Sequence, residues 1–231
     1  MNEISRRRQS GVMLLLVAGL LCGLACRGKS EAPAARVVQA PTAPEPSGAV
    51  HLVVMDAANH QVLEVSRTGE TITVVGDAGA RLVGEIQSSG KRKYRLDNGG
   101  VVAEVKTRAA GPADEDATGF KLRGPDGSLL WKVKVTAEKI KISADEEGSR
   151  SWALSLKHEN KVKVSDPDGK EIGSVKIKDG AGRVEMRDGS DQLRFVVPGV
   201  ERSAAFGVLL IDAISNRDKG LLVAELVARG N

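Results

Sequence analysis

Cysteine is nearly absent from this chain, and its two copies, Cys22 and Cys26, both lie close to the N-terminus. The sequence after Cys26 has no thiol, which excludes disulfide bonds, Cys-ligated zinc and a cysteine nucleophile there. Aromatic residues are also scarce, at 3%, against 41% hydrophobic and 28% charged residues. This balance of charged and apolar residues is typical of a globular domain.

Patterns for catalysis and metal binding are missing as well. His51, His60 and His158 are scattered, with neither an H-x-x-x-H nor an H-E-x-x-H spacing, and no G-x-S-x-G sequence occurs. We therefore predict a protein that is not an enzyme and that has no metal site and no cofactor. A hydrolase that uses two converging carboxylates is the enzymatic alternative.

Two further ligand classes are excluded by context. Residues 23–30 match the phosphate-binding pattern G-x-x-x-x-G-K-[ST], but no strand precedes them and a proline-rich segment follows, so we predict no nucleotide binding. The net charge is +4. Loss of the first 25 residues removes three arginines and one glutamate and leaves +2, which is too low for a nucleic-acid-binding domain.

The N-terminus resembles the signal peptide of bacterial lipoproteins. Three consecutive arginines precede the apolar run Gly11–Leu21, which is too short to span a bilayer. The stretch Gly23-Leu24-Ala25-Cys26 resembles a lipobox. The resemblance implies a signal peptide over residues 1–25 and lipidation of Cys26; ordinary secretion and an uncleaved anchor are the alternatives.

The predicted location is the bacterial cell envelope, with the protein anchored to a membrane by its lipid. Arg27, rather than Asp, follows Cys26, which by analogy favours the outer membrane in a Gram-negative host. Residues 26–48 contain Pro33, Pro41, Pro44 and Pro46 and no aromatic residue, so they are predicted to form a flexible tether. A single β-rich globular domain is expected over residues 49–231.

From Val50 to Val197 the chain alternates apolar and polar residues in short runs. Their spacing of about 8 to 12 residues indicates an all-β barrel or sandwich. The turn sequences Asn98-Gly99, Asp126-Gly127, Asp168-Gly169 and Asp188-Gly189 supply the positive φ of tight hairpins. The predicted strands are His51–Met55, Gln61–Ser66, Thr71–Val75, Arg81–Ile86, Lys91–Leu96, Val101–Thr107, Gly119–Arg123, Leu129–Val135, Lys139–Ser143, Trp152–Leu156, Lys161–Ser165, Glu171–Ile177, Arg183–Met186 and Leu193–Val197.

Two helices are predicted after the strands. Ser203–Ser215 is apolar around nearly its whole circumference, which predicts a helix through the middle of the β structure. Asp218–Arg229 has its apolar residues on one side and its charges on the other, which predicts a second helix packed on the outside.

Short meandering strands with Asp/Asn-Gly hairpins, followed by the apolar segment Phe206–Asp212, resemble the tubby C-terminal-like superfamily, which includes phospholipid scramblases and LURP-one-related proteins. The resemblance implies a mainly β fold: an antiparallel meander barrel of about twelve strands closed around a central hydrophobic C-terminal helix, with one further short helix. A β-sandwich with a helical tail is the alternative. The resemblance also implies an affinity for membrane lipids, and it transfers no catalytic residue.

Lysines alternate with apolar residues in four predicted strands, so neighbouring strands would present one basic outer surface. Contact with anionic lipid headgroups is one interpretation, and protection of strand edges is the other. The alternative function is a structural or protein-interaction module that binds a partner through residues 218–231. Asp212, the only charge in the apolar segment, is expected in the buried helix, as an ion pair, a helix-end residue or a ligand contact. The candidate lysines are Lys132, Lys134, Lys139, Lys141, Lys161, Lys163, Lys176 and Lys178.

Overall fold

The structure is a computed structural model that describes residues 50–108, 117–158, 160–178, 182–199 and 203–231. The predicted signal peptide, the lipidation site Cys26 and the tether all lie outside these residues. The described residues belong to one compact unit, which spans Pro44–Asn231.

Fourteen antiparallel strands form a closed barrel in which each strand pairs with the next along the chain. The last strand closes the barrel on the first, with Met55 opposite Val196. The strands are β1 Val50–Asp56, β2 Gln61–Thr68, β3 Thr71–Gly76, β4 Arg81–Ile86, β5 Arg92–Leu96, β6 Val101–Arg108, β7 Thr118–Arg123, β8 Leu129–Val135, β9 Lys139–Ser143, β10 Ser151–His158, β11 Lys161–Ser165, β12 Glu171–Lys178, β13 Arg183–Asp188 and β14 Leu193–Pro198.

The barrel prediction is confirmed, and the sandwich alternative is wrong. Every predicted run is a strand, but the count of about twelve, which came from the family resemblance, is too low. Alternate residues of each strand face the lumen, as Leu52 and Val54 of β1 and Val162 and Val164 of β11 do. Their neighbours face outward, so the period-two pattern of the sequence marks the two sides of the barrel wall.

Aspartates stand in the hairpins at one end of the barrel, which we call the aspartate end. Each of these hairpins joins an odd-numbered strand to the next even-numbered one. In three of them the Oδ1 atom of an aspartate, Asp56, Asp166 or Asp188, accepts two backbone amides of its own turn at 2.8 to 3.1 Å. Asp145 Oδ1 does the same for the amides of Gly148 and Ser149. The local bonds compete well with water and set the turn. Gly127 and Gly169 have positive φ, whereas Asp191 has it in the β13–β14 turn instead of Gly189.

The lumen is filled by a 3₁₀ helix, Ala204–Leu210, and by an α-helix, α1, Asn216–Ala228. The 3₁₀ helix packs on β10–β13, and α1 packs on β2, β3 and the 3₁₀ helix. Two glycines permit these close approaches. A Cβ on Gly207 would lie 2.9 Å from the Leu154 side chain, and one on Gly220 would lie 3.0 Å from that of Val74.

The first predicted helix is shorter than expected. It ends at Leu210, because Ile211 takes an extended conformation and Ser215 is the N-cap of α1, its side chain accepting from the Asp218 amide. Asp212 consequently lies in an exposed turn between the two helices, so its expected place in a buried helix is wrong. It occupies the aspartate end, next to the start of α1.

The outside position predicted for the second helix is also wrong. Nine consecutive residues of α1, Asp218–Leu226, are buried in the lumen. Two of its charges, Asp218 and Glu225, which the sequence places on a solvent side, find partners on the inner wall. Trp131 Nε1 donates to Asp218 at 3.0 Å, and Arg92 and Tyr94 each donate to Glu225 at 2.8 Å. Buried charges need such partners, and here strands far away in the sequence provide them.

Candidate functional site

The eight candidate lysines all lie on the outer side of β8, β9, β11 and β12. Their chain neighbours, including Val133, Ile140, Ile142, Val162 and Val175, are buried in the lumen. Because β8 to β12 are consecutive in the barrel, the lysines share one wall. We call this wall, from β8 to β12, the basic face.

Like charges stand directly opposite one another on the basic face. Lys134 on β8 is in register with Lys141 on β9, and Lys161 on β11 is in register with Lys176 on β12. Directly opposed like charges destabilise a sheet, and opposite charges would contribute about 0.2–1 kcal/mol per pair. In the second pair, the ion pair of Lys176 with Asp191 offsets part of this repulsion.

The centre of the basic face is smooth. The outward residues Ser151, Ala153 and Ser155 of β10 are small, Lys157 follows them at the end of the strand, and Ala153 lies opposite Lys141. Ser155 lies between Lys139 on β9 and Lys163 on β11. Adjacent strands are about 4.8 Å apart. The basic face is therefore a shallow trough along β10 with lysines on both sides.

Lys132, Lys163 and Lys176 are held by local partners. Lys176 contacts Asp191 at 2.6 Å, Lys163 contacts Glu171 at 3.4 Å, and Lys132 donates to the Glu146 carbonyl. Three others, Lys139, Lys141 and Lys178, are exposed and form no ion pair with any residue in the described ranges. These three ammonium groups are the ones most available to an external anion.

A groove of about 570 Å³ extends the positive charge onto β5–β7. Lys106, Lys121 and Lys132 are in register across β6, β7 and β8 along its floor. Glu146, in the β9–β10 connection, bonds Lys121 and, at 2.7 Å, Arg123. These bonds, first the one from Lys121, hold the pKa of Glu146 below its usual value.

Lys106, Lys121 and Arg123 were not among the residues predicted from the sequence. The signal was present, since Lys121 and Arg123 alternate with the buried residues Phe120 and Leu122 in the same way as the lysines that were selected. The groove itself was not predictable, because Glu146 reaches it from a different hairpin.

The proposed contact surface at residues 218–231 is not available as expected. Residues 218–226 lie in the lumen, and only the last turn and the C-terminal residues from Val227 onward are partly exposed. A partner therefore cannot bind along α1 without opening the barrel.

The described part of the chain holds no group of three or more His, Cys, Asp or Glu side chains arranged to bind a metal ion. Within the same residues, no helix has the length and apolar character needed to cross a membrane.

Comparison of the chain with protein-family models, with curated proteins and with solved structures found no match.

Proposed function

We propose that this protein is a membrane-anchored envelope lipoprotein whose non-catalytic barrel binds anionic lipid headgroups, or another anionic component of the envelope, through the basic face. The observation that carries the proposal is that Lys139, Lys141 and Lys178 lie on one wall, exposed and without an ion pair to any described residue. Their ammonium groups keep their full charge for an external anion. A headgroup surface supplies such anions at many points at once, as the extended trough requires.

The charge distribution supports binding through the side wall. The hairpins of the aspartate end mix carboxylates with arginines, as in the pairs Asp188–Arg194 and Asp168–Arg150, so positive charge is not concentrated at that end. β1 begins at the opposite end, where the predicted tether from Cys26 would join the barrel. An anchored barrel can thus rest its basic face on the membrane with the aspartate end turned away.

The tubby-like character remains part of the proposal. A C-terminal helix inside a closed antiparallel barrel supports the resemblance, while fourteen strands in place of about twelve argue against a close relationship. Location in the outer membrane of a Gram-negative host rests on Arg27 and is likewise proposed.

The test is vesicle flotation of a soluble fragment, Gly48–Asn231, which contains every described strand and both helices. Its fold is first verified by circular dichroism. We expect it to float with phosphatidylglycerol-containing vesicles at low salt, to float less at high salt, and to remain unbound with phosphatidylcholine alone.

A matched pair of variants locates the contact. Each lysine near a membrane surface contributes about 1 kcal/mol to the binding free energy. Replacing Lys139, Lys141 and Lys178 by Gln should therefore remove about 3 kcal/mol of binding free energy and weaken vesicle binding about a hundredfold. The control replaces by Gln three exposed cations in the hairpins of the aspartate end, Arg81, Arg150 and Lys170, so the protein loses the same amount of positive charge. Equal losses in both variants, or no flotation of the wild-type fragment, would contradict the proposal.

A further inference from the structure

A second site lies at the aspartate end, where α1 begins inside the barrel. A cavity of about 400 Å³ opens there between the helices and the start of β10 and β14. Its walls include Trp152, Phe195 and Leu209, together with the polar residues Asp212, Arg194 and Lys219. The volume falls in the lower part of the range of small-molecule pockets, about 300–1,000 Å³.

The apolar wall of the cavity contains a third of the aromatic residues of this chain. Only six residues are aromatic, two Trp, one Tyr and three Phe, and two of them, Trp152 and Phe195, line this one cavity. Both are half-buried, so part of each ring remains uncovered by the protein. Aromatic rings provide a large apolar contact for a ligand.

Lys219 is the unpaired charge of the cavity. It is 9% exposed, and it forms no hydrogen bond through its side chain and no ion pair with any residue that the structure describes. Burial lowers the pKa of the Lys219 ammonium. The charge of Asp212 opposes this shift, and the charge of Arg194 adds to it. A buried ammonium group without a hydrogen-bond acceptor raises the free energy of the folded protein. A ligand that brings an acceptor into the cavity removes this cost, which favours its binding.

Two of the three aspartates around the cavity already have partners, and the third faces solvent. Asp188 pairs with Arg194 at 3.6 Å and accepts two amides of its own turn. Asp166 accepts the amides of Asp168 and Lys170, and Asp212 is exposed to solvent. The buried donor without an acceptor is therefore Lys219, and the missing group is an anion.

We propose that this cavity binds a small carboxylate with an apolar body, its carboxylate accepting from Lys219 and its apolar body lying against Trp152 and Phe195. The cavity is separate from the basic face, so this inference does not rest on lipid binding by the side wall.

The test measures binding of three probes that share one apolar body and differ in charge: hexanoate, hexanol and hexylamine. Isothermal titration calorimetry is done with the full chain in nanodiscs, and empty nanodiscs are subtracted. We expect hexanoate to bind more tightly than hexanol, and hexanol more tightly than hexylamine. If hexylamine binds as well as hexanoate, the aspartates dominate the site and the proposal is wrong.

Variants assign the contact to Lys219. Lys219→Met keeps the length of the side chain, and we expect it to weaken hexanoate binding about tenfold, the usual effect of losing a hydrogen bond to a charged group, with hexanol binding unchanged. Lys219→Arg should restore the preference for the carboxylate, and Lys170→Met, at an exposed lysine of the same end, should leave it intact.

Two further results overturn the proposal: hexanoate that fails to bind the wild type, and hexanoate binding that Lys219→Met leaves unchanged. If Lys219→Met does not fold, the order in which the wild type binds hexanoate, hexanol and hexylamine tests the proposal on its own.

Discussion

The hydroxyl of Tyr94 on β5 donates a 2.8 Å hydrogen bond to Oε1 of Glu225 on α1, although the two residues are 131 positions apart. Neither residue has exposed surface. The same oxygen accepts from Arg92, and the other carboxylate oxygen accepts from Arg229 at 2.9 Å. The bond therefore belongs to a buried network that fixes the second half of α1 in the lumen.

Removal of the Glu225 side chain should lower the free energy of unfolding by more than a typical core substitution does. Glu225→Ala leaves the nine-tenths buried Arg92 without its carboxylate, and breaking a buried ion pair in this way costs about 3–5 kcal/mol. The free energy of unfolding from urea denaturation measures the loss. Glu138→Ala, at an exposed glutamate, is the control and should change stability by less than about 0.5 kcal/mol.

Tyr94 should make the protein less stable in alkali. Burial, and then the negative charge of Glu225, raise the pKa of Tyr94 well above its ordinary value of 10.0. Above pH about 10 the unfolded chain loses the phenol proton while the folded chain keeps it, so the free energy of unfolding falls as the pH rises.

Tyr94→Phe should flatten that alkaline slope, which urea unfolding at several pH values measures. Tyr94 is the chain's only tyrosine, so tyrosinate absorbance reports its ionisation alone. Formation of tyrosinate near pH 10 in the folded protein would show that burial and Glu225 do not raise the pKa of Tyr94.

The Tyr94 ring requires a glycine opposite it. Gly84 on β4 is in register with Tyr94, and a Cβ there would lie 2.4 Å from the ring. Gly84→Ala should destabilise the barrel by about 1–3 kcal/mol through overpacking. Gly76→Ala is the matched control, because its Cβ would meet nothing within 4 Å, and its melting temperature should not fall.

The strands could be predicted from sequence because their signal is local. The alternation of Lys121, Leu122 and Arg123, or of Val162, Lys163 and Val164, shows which side of the wall each residue occupies. The number of strands was visible in the same pattern. It was set too low because the family resemblance, rather than the runs themselves, supplied the count.

The position of α1 could not be predicted from its own residues. Asp218 and Glu225 lie on a polar side of the helix, which is normally the solvent side. Their partners Trp131, Arg92 and Tyr94 lie 87 to 133 positions earlier, and barrel closure alone brings them to the helix. The unpaired Lys219 was hidden for the same reason.

The lysines of the basic face should lower the free energy of unfolding and strengthen binding to anionic vesicles. Lys141→Glu replaces a like-charged pair with Lys134 by an oppositely charged one, which should raise the free energy of unfolding by about 0.2–1 kcal/mol. The same change should weaken flotation with anionic vesicles. Lys170→Glu, in a turn of the aspartate end, should produce neither effect, and unchanged flotation of Lys141→Glu would argue against the basic face.

If one wall of the barrel faces the membrane, fluorescent labels on opposite walls will respond differently to the lipid. The Gly48–Asn231 fragment has no cysteine, so Ala153→Cys and Thr73→Cys each carry a unique label. Ala153 lies in the trough of β10, and Thr73 lies on the outer side of β3, seven strands away around the barrel. We predict that anionic vesicles carrying a lipid-borne quencher quench the label at position 153 and leave the one at position 73 unquenched. Equal quenching at both positions, or quenching only at position 73, would contradict the account.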